Sequence, residues 1–301
     1  MIRRTILTRI FICATFLSAC GDGNNGDGAA PIDMPLQVGG IWNGEATISI
    51  TQPGATEPTV LDDTSVTFFT TEADPETGIS EFRLVSDEAL QAKGTIAVTE
   101  GATSQEDDAL TGSFTAFAPD GFFFSDGMET AACAATGIFM ETIDNDSMAI
   151  RSVMITYTCT DMNSQIMATG SIMADYDAAQ YEQPSSFNRA AGTWSGLDFS
   201  TTNNDVELSL DFSNDDGMIS GDNNIGCFYA GQLEIIDAAF NLYGISLTLT
   251  QCQQLDGTYT GLATLTAGLD GNPDEFTYQV DNDTRIITQP VFQFRTPSPP
   301  L

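Results

Sequence analysis

The sequence predicts an all-β fold: two tandem antiparallel meander β-barrel-like domains, each carrying one disulfide. Three observations carry this. First, Val206-Glu207-Leu208-Ser209-Leu210-Asp211-Phe212 and Phe276-Thr277-Tyr278-Gln279-Val280 alternate without error, which places their apolar side chains on one face of an extended strand. Second, turn signals (Asp215-Asp216-Gly217, Asp256-Gly257, Asp270-Gly271-Asn272-Pro273, Asp281-Asn282-Asp283) separate runs of six to twelve residues. Third, the chain repeats itself. Gly40-Ile41-Trp42-Asn43-Gly44 returns as Gly192-Thr193-Trp194-Ser195-Gly196, Cys133 to Gly137 matches Cys227 to Gly231, and Ile143-Asp144 matches Ile236-Asp237. A second cysteine follows in each copy, Cys159 or Cys252, and then a Thr-Gly pair at 169–170 or 260–261. Tight turns between many short strands suit an up-and-down meander that closes into a barrel and leaves no exposed edge.

In chain order, residues 1–19 form a signal peptide. Arg3, Arg4 and Arg9 make a positive start, and Ile10 to Leu17 is an apolar run too short to span a bilayer. Leu17-Ser18-Ala19-Cys20 resembles a bacterial lipobox, which implies that Cys20 is lipidated and becomes the first residue of the mature chain. Gly21 after Cys20 leans the sorting toward the outer membrane. Residues 20–38 are mostly small and polar, a flexible tether. The first domain spans 39–175, with eight or nine strand candidates. Residues 176–191, with Pro184-Ser185-Ser186, form the linker. The second domain spans 192–301, with about eight candidates, and no convincing amphipathic helix appears. The first copy is the longer: 91 residues separate Trp42 from Cys133, against 33 from Trp194 to Cys227, so extra strands or long loops are expected in it.

Cys13 leaves with the signal and Cys20 takes lipid, which leaves four cysteines in an oxidising compartment. The repeat selects Cys133–Cys159 and Cys227–Cys252. Each pair is centred on a turn-like stretch, Asp144-Asn145-Asp146-Ser147 or Ala238-Ala239-Phe240-Asn241, and would clip the open end of a hairpin. One check strains the second pair. Leu247 and Leu249 have opposite parity to Cys252, whereas Leu233 and Ile235 share parity with Cys227, so a bulge or a less direct pairing is expected.

Composition narrows function. The chain holds 9 basic and 42 acidic residues and no histidine. Without residues 1–19 the charge is 6 against 42, or −36. Such a surface repels phosphate backbones, so no nucleic-acid partner is expected. Lack of histidine removes Ser-His-Asp and Cys-His systems and most zinc sites. Lys93, the single lysine, has no Schiff-base or Ser-Lys setting, and no phosphate-binding glycine loop is present. No catalytic residue, cofactor or metal is assigned, and a non-enzymatic protein is expected.

Four groups of residues are candidate sites. Phe122-Phe123-Phe124 cannot all face one barrel interior, so a core or interface role is expected, with an aromatic lip at a binding mouth as the alternative. Seven of the ten methionines fall between Met128 and Met173, where core filling is expected over a pliable pocket. Asp211, Asp215, Asp216 and Asp222 resemble calcium ligands but lack EF-hand spacing, and turn roles are expected. Trp42 and Trp194, at the head of each domain's first strand, are expected to plug the barrel floors.

The G-x-W opening of a meander is similar to that of lipocalin-like (calycin) barrels. That resemblance implies an arginine near the last strand, Arg285 or Arg295, covering Trp194. Pro184-Ser185-Ser186, Gly192-Thr193-Trp194, Gly226-Cys227, Asn241-Leu242-Tyr243 and Gly257 to Ala263 look like a group of uncharacterised bacterial lipoproteins, which implies an envelope location and a β fold. The expectation is therefore an envelope lipoprotein held to the membrane by lipid on Cys20, binding a small apolar ligand or an envelope partner through its barrels. The alternative is a structural or protein-interaction module with filled barrels, such as an inhibitor of a basic hydrolase. A carboxylate-dependent glycosidase is the remote third. Hollow barrels would favour a ligand, and barrels packed with Phe, Met and Leu would favour the interaction module.

Overall fold

Alternation in the sequence becomes sixteen strands in the computed structural model, which describes residues 38–86, 91–101, 108–118, 122–143, 149–198, 206–268 and 272–293. The lipobox ending at Cys20, the tether through 37, the turn at 144–147, Met148 and Arg295 lie outside the described residues.

The first eight strands are β1 (Gly40–Ile50), β2 (Thr59–Thr70), β3 (Ile79–Ser86), β4 (Gln91–Thr99), β5 (Asp108–Phe117), β6 (Thr130–Ile143), β7 (Ala149–Thr160) and β8 (Ile166–Tyr176). They pair antiparallel in sequence order, and β8 closes on β1. Two one-turn helices follow, α1 (Ala178–Tyr181) and α2 (Phe187–Ala190). Asp177 caps the first by accepting from Gln180 N, and Ser186 caps the second by accepting from Arg189 N. Both are too short to show a helical period, so the sequence gives them no pattern to find. The second barrel is β9 (Gly192–Leu197), β10 (Glu207–Phe212), β11 (Met218–Asn223), β12 (Phe228–Ile235), β13 (Tyr243–Thr250), β14 (Gly257–Thr266), β15 (Asp274–Asp281) and β16 (Ile286–Gln293), with β16 returning to β9.

Inward positions alternate with outward ones, as in any small barrel. Along β10, Leu208, Leu210 and Phe212 are buried while Glu207 and Asp211 are exposed. Glycines on the inner walls let neighbouring side chains close over the backbone. A Cβ at Gly170 would sit 2.3 Å from the Tyr157 hydroxyl, and one at Gly94 would sit 2.4 Å from Phe114 Cβ.

Both disulfides form as the sequence indicates. Cys133 and Cys159 face each other directly across β6 and β7, with Cα atoms 4.0 Å apart. Cys227 lies one residue, and Cys252 two residues, beyond the last pair of the β12–β13 hairpin, Phe228 with Thr250. The parity conflict is resolved there: Gln251 takes a left-handed φ of 60° and skips one residue, which turns Cys252 back toward Cys227.

The repeat, however, does not map strand for strand. The first disulfide staples the sixth and seventh strands of its barrel, the second the fourth and fifth of its own. Each barrel has eight strands, so the longer Trp42-to-Cys133 interval reflects a disulfide placed two strands later and longer strands, rather than added ones. Every hairpin of a closed meander presents the same in–out alternation, so a cysteine clip fits any of them.

The barrels belong to one compact unit, Leu36–Leu301. Their contact is built from outward-facing residues: Ile41, Phe69 and Val85 of the first barrel form one buried cluster with Tyr181 of α1 and Leu242 and Leu262 of the second. Tyr181 stacks on Phe240 with centroids 4.7 Å apart.

Candidate functional site

The interior of each barrel is occupied by aromatic side chains. In the first, Phe68, Phe82, Phe114 and Tyr157 run in series with centroids 5.3, 5.7 and 5.6 Å apart, and Trp42 packs between Phe139 and Tyr176. In the second, Phe276 meets Trp194, Phe212 and Tyr243 at 5.7, 4.8 and 5.9 Å. Both tryptophans are fully buried and their indole N–H groups are satisfied: Trp42 donates to Thr70 Oγ1 at 3.1 Å and Trp194 to the Ala190 carbonyl at 2.7 Å. Arg285 does not cover Trp194. It lies in the β15–β16 turn and donates to Gln254 Oε1 at 3.3 Å, whereas β9 meets β16 at the opposite end, at Phe292. A buried carboxylate, Asp198, accepts from Asn223 Nδ2 and from the Tyr229 hydroxyl, both at 2.7 Å. Burial pushes the nearby Tyr278 hydroxyl far above its usual range.

Between the barrels lies an ionic cluster that sequence reading missed. Asp281 of β15 accepts from both Arg83 of β3 and Lys93 of β4; Arg83 also pairs with Glu81 at 2.8 Å, and Lys93 with Asp283. Gln279 donates to the Leu84 carbonyl at 2.8 Å beside it. Burial alone would raise Asp281, but hydrogen bonds from Lys93 and Arg83 outweigh it and hold the carboxyl below its ordinary range. Burial would likewise lower Lys93, and Asp281 and Asp283 together raise it instead. The single lysine is thus a structural group. Its only sequence signal was its rarity.

The other expectations fare unevenly. Phe124 is fully buried in the first core and Phe122 packs against it, while Phe123 is 40% exposed. The methionines are not core filling. Met167 is buried, but Met128, Met154, Met162 and Met173 are exposed, with Met154 opposite Met173 on the outer face of β7 and β8. Val153 and Ile155 fill the inner positions of β7 and leave Met154 outward. The four aspartates do not converge. Asp211 accepts from Thr193 Oγ1 and Asp222 faces Ser209 across the ladder, while Asp215 and Asp216 occupy the β10–β11 turn. A hydrogen bond from Ser213 holds Asp216 below the usual carboxylate range, as expected of a turn aspartate. Among the described residues no group of three His, Cys, Asp or Glu side chains is placed to hold a metal.

A concavity with a volume of about 800 Å³ opens on the outer wall of the second barrel. It lies over the β16–β9 seam, where backbone pairing is reduced to Phe292 with Ser195. Side-chain amides replace the missing ladder: Gln289 donates to the Leu197 carbonyl, and Gln293 to that of Thr193 at 3.3 Å. Pro290, with no N–H to give, explains part of that gap. The ladder sets the row Phe292, Ser195, Ser209, Asp222 across four strands, with Leu197 beside Glu207 in the next row. All six line the cleft. In an eight-stranded ring β10 and β11 stand opposite β14 and β15, so Glu207, Ser209 and Asp222 sit across the ring from the strands that carry Leu262 and Asp281 to the first barrel. In the sequence Asp222 carries a different signal, that of a calcium-like aspartate group. Phe292, Glu207 and Ser195 gave no signal, because any outward residue of any strand has the same pattern. Comparison of the chain with family models, curated proteins and solved structures returns no match.

Proposed function

We propose that the chain is a bacterial envelope lipoprotein that acts through its outer surface, as an interaction module for a basic protein, rather than by enclosing a ligand. Aromatic filling of both barrels is the observation that carries this reading: the inward positions a ligand would need are taken by Trp42, Phe114, Tyr157, Trp194 and Phe276. Charge points the same way. Of the six basic residues after Cys20, five are described, and each is engaged within the chain: Arg83 and Lys93 on the interface carboxylates, Arg151 over the Tyr176 ring at 4.1 Å, Arg189 on the Pro184 carbonyl, and Arg285 on Gln254. With 42 acidic residues against these few cations, carboxylates dominate the outward charge, which steers cationic partners and speeds their encounter. Acyl chains on Cys20 would hold the module at the membrane.

The test has two parts. Cys20→Ser should move the protein from the membrane to the soluble envelope fraction; continued attachment would remove the anchor from the proposal. The exported Cys20→Ser protein should then bind a basic probe such as lysozyme, with affinity falling at least roughly tenfold as salt shortens the Debye length from about 10 Å toward 3 Å. Salt-independent binding, or a tightly held small molecule seen by native mass spectrometry, would overturn it.

A further inference from the structure

We propose that the cleft over the β16–β9 seam is where the basic partner docks, taking a segment that carries a guanidinium or ammonium group next to an apolar side chain. This rests on the surface-acting reading above and adds the site and the chemistry it selects. Glu207 and Asp222 stand on the outer wall of β10 and β11, exposed, and neither forms an ion pair among the described residues. Beside them lie exposed apolar groups: Leu197 is 44% exposed, Ile225 61% and Phe228 45%. The ladder makes these one patch. Glu207 is opposite Leu197, its carbonyl accepts from Asn224 N at 3.0 Å next to Ile225, and Asp222 is opposite Phe228. Among the described residues no lysine or arginine lines the cleft.

Charge complementarity selects the occupant. An anionic ligand would meet two unpaired carboxylates, and a purely apolar one would have to desolvate them with nothing in return. A cation flanked by an apolar group satisfies both halves: it neutralises Glu207 and Asp222 while its neighbour covers Leu197 beside Phe292, which also lines the cleft. A volume of about 800 Å³ lies in the range of sites that enclose a compact group, enough for two or three side chains of a protruding segment.

The experiment uses the full exported chain with Cys20→Ser and two short peptides, one alternating arginine and leucine, the other arginine and serine, measured by calorimetry at low salt. Glu207→Gln with Asp222→Asn should weaken both peptides roughly tenfold, as expected for the loss of two partner charges. A control with the same charge change on the first barrel, Glu57→Gln with Asp62→Asn, should change affinity less than about twofold. Leu197→Ser should weaken only the arginine–leucine peptide. Circular dichroism and the melting temperature report whether each variant is folded, and these outward positions tolerate polar substitutes. Equal loss in the cleft and control variants would overturn the site while leaving a diffuse acidic surface, and so the broader reading, intact. Failure of the parent protein to bind either peptide, or lysozyme, would sink both.

Discussion

Asp281 is the residue on which most depends, because two cations from the other barrel converge on it in a nearly dry interface. A buried carboxylate so placed is costly to remove: Asp281→Ala would leave the buried Arg83 guanidinium with only the half-exposed Glu81 and Lys93 with only the exposed Asp283, and a loss of about 2–3 kcal/mol is expected in a denaturant titration. Arg83→Met with Asp281→Leu should recover most of that, since a matched apolar pair leaves no charge uncompensated. The pH dependence follows from the same contacts. Asp281 is held below its ordinary value, so its contribution is present at neutral pH and is lost as pH falls below about 4, through the folded-state pKa. Lys93 is held above its ordinary 10.5, so its contribution is complete below that value and lost as pH climbs past it. Midpoints measured against pH should therefore show an acid limb that flattens in Asp281→Asn. An unchanged limb would mean that the interface carboxylate does not govern acid stability.

Among the elements, the β12–β13 hairpin shows most clearly how a local rule is bent to meet a covalent one. Its inner face is Tyr229, Leu233, Ile245, Leu247 and Leu249, and continuing the ladder would set Gln251 opposite Cys227. Left-handed backbone at Gln251 brings Cys252 there instead, closing a loop with a separation of 25 residues. Gln251→Gly should stabilise the oxidised protein by about 0.5–1 kcal/mol, because glycine adopts that φ without the Cβ penalty. The same change should do little once Cys227→Ala and Cys252→Ala have removed the bond, a double change expected to cost about 3 kcal/mol by itself. A gain of equal size with and without the disulfide would show that the strain is unconnected to it. Much of this hairpin was legible in advance, since period-two alternation fixes faces and the repeated cysteines fix a pairing. Other features were not. On β7 the run Val153-Met154-Ile155 is apolar on both faces, so parity alone does not say that Met154 is the outward one. On β15, Gln279 and Asp281 read as solvent-facing and are indeed outward, yet they are buried because the other barrel covers them. Which outer face is covered, and which carries a cleft, depends on contacts between distant strands that no local pattern encodes.

For the molecule as a whole, the question is whether two closed barrels behave as one folding unit. Each has its own aromatic core, and domains with separate cores often melt separately unless their contact is large and apolar. Here the contact combines an apolar cluster (Ile41, Phe69, Tyr181, Leu262) with the Asp281 ion network and the Gln279-to-Leu84 hydrogen bond. Neither part would couple the barrels well by itself. An ion pair in a wet gap contributes little, and an apolar patch this small allows slippage; together the apolar groups exclude water from the charges and the charges fix the register. The intact protein should therefore melt in a single calorimetric transition at neutral pH. Tyr181→Ala with Phe240→Ala, which deletes the stack at the edge of the patch, should admit water to Asp281 and split that transition in two, with the separation widening as pH falls below about 4 and the carboxylate is neutralised. Two resolved transitions in the parent protein, or one that survives both the double variant and acid, would show that the interface does not set cooperativity and that Arg83 and Lys93 serve only their own strands.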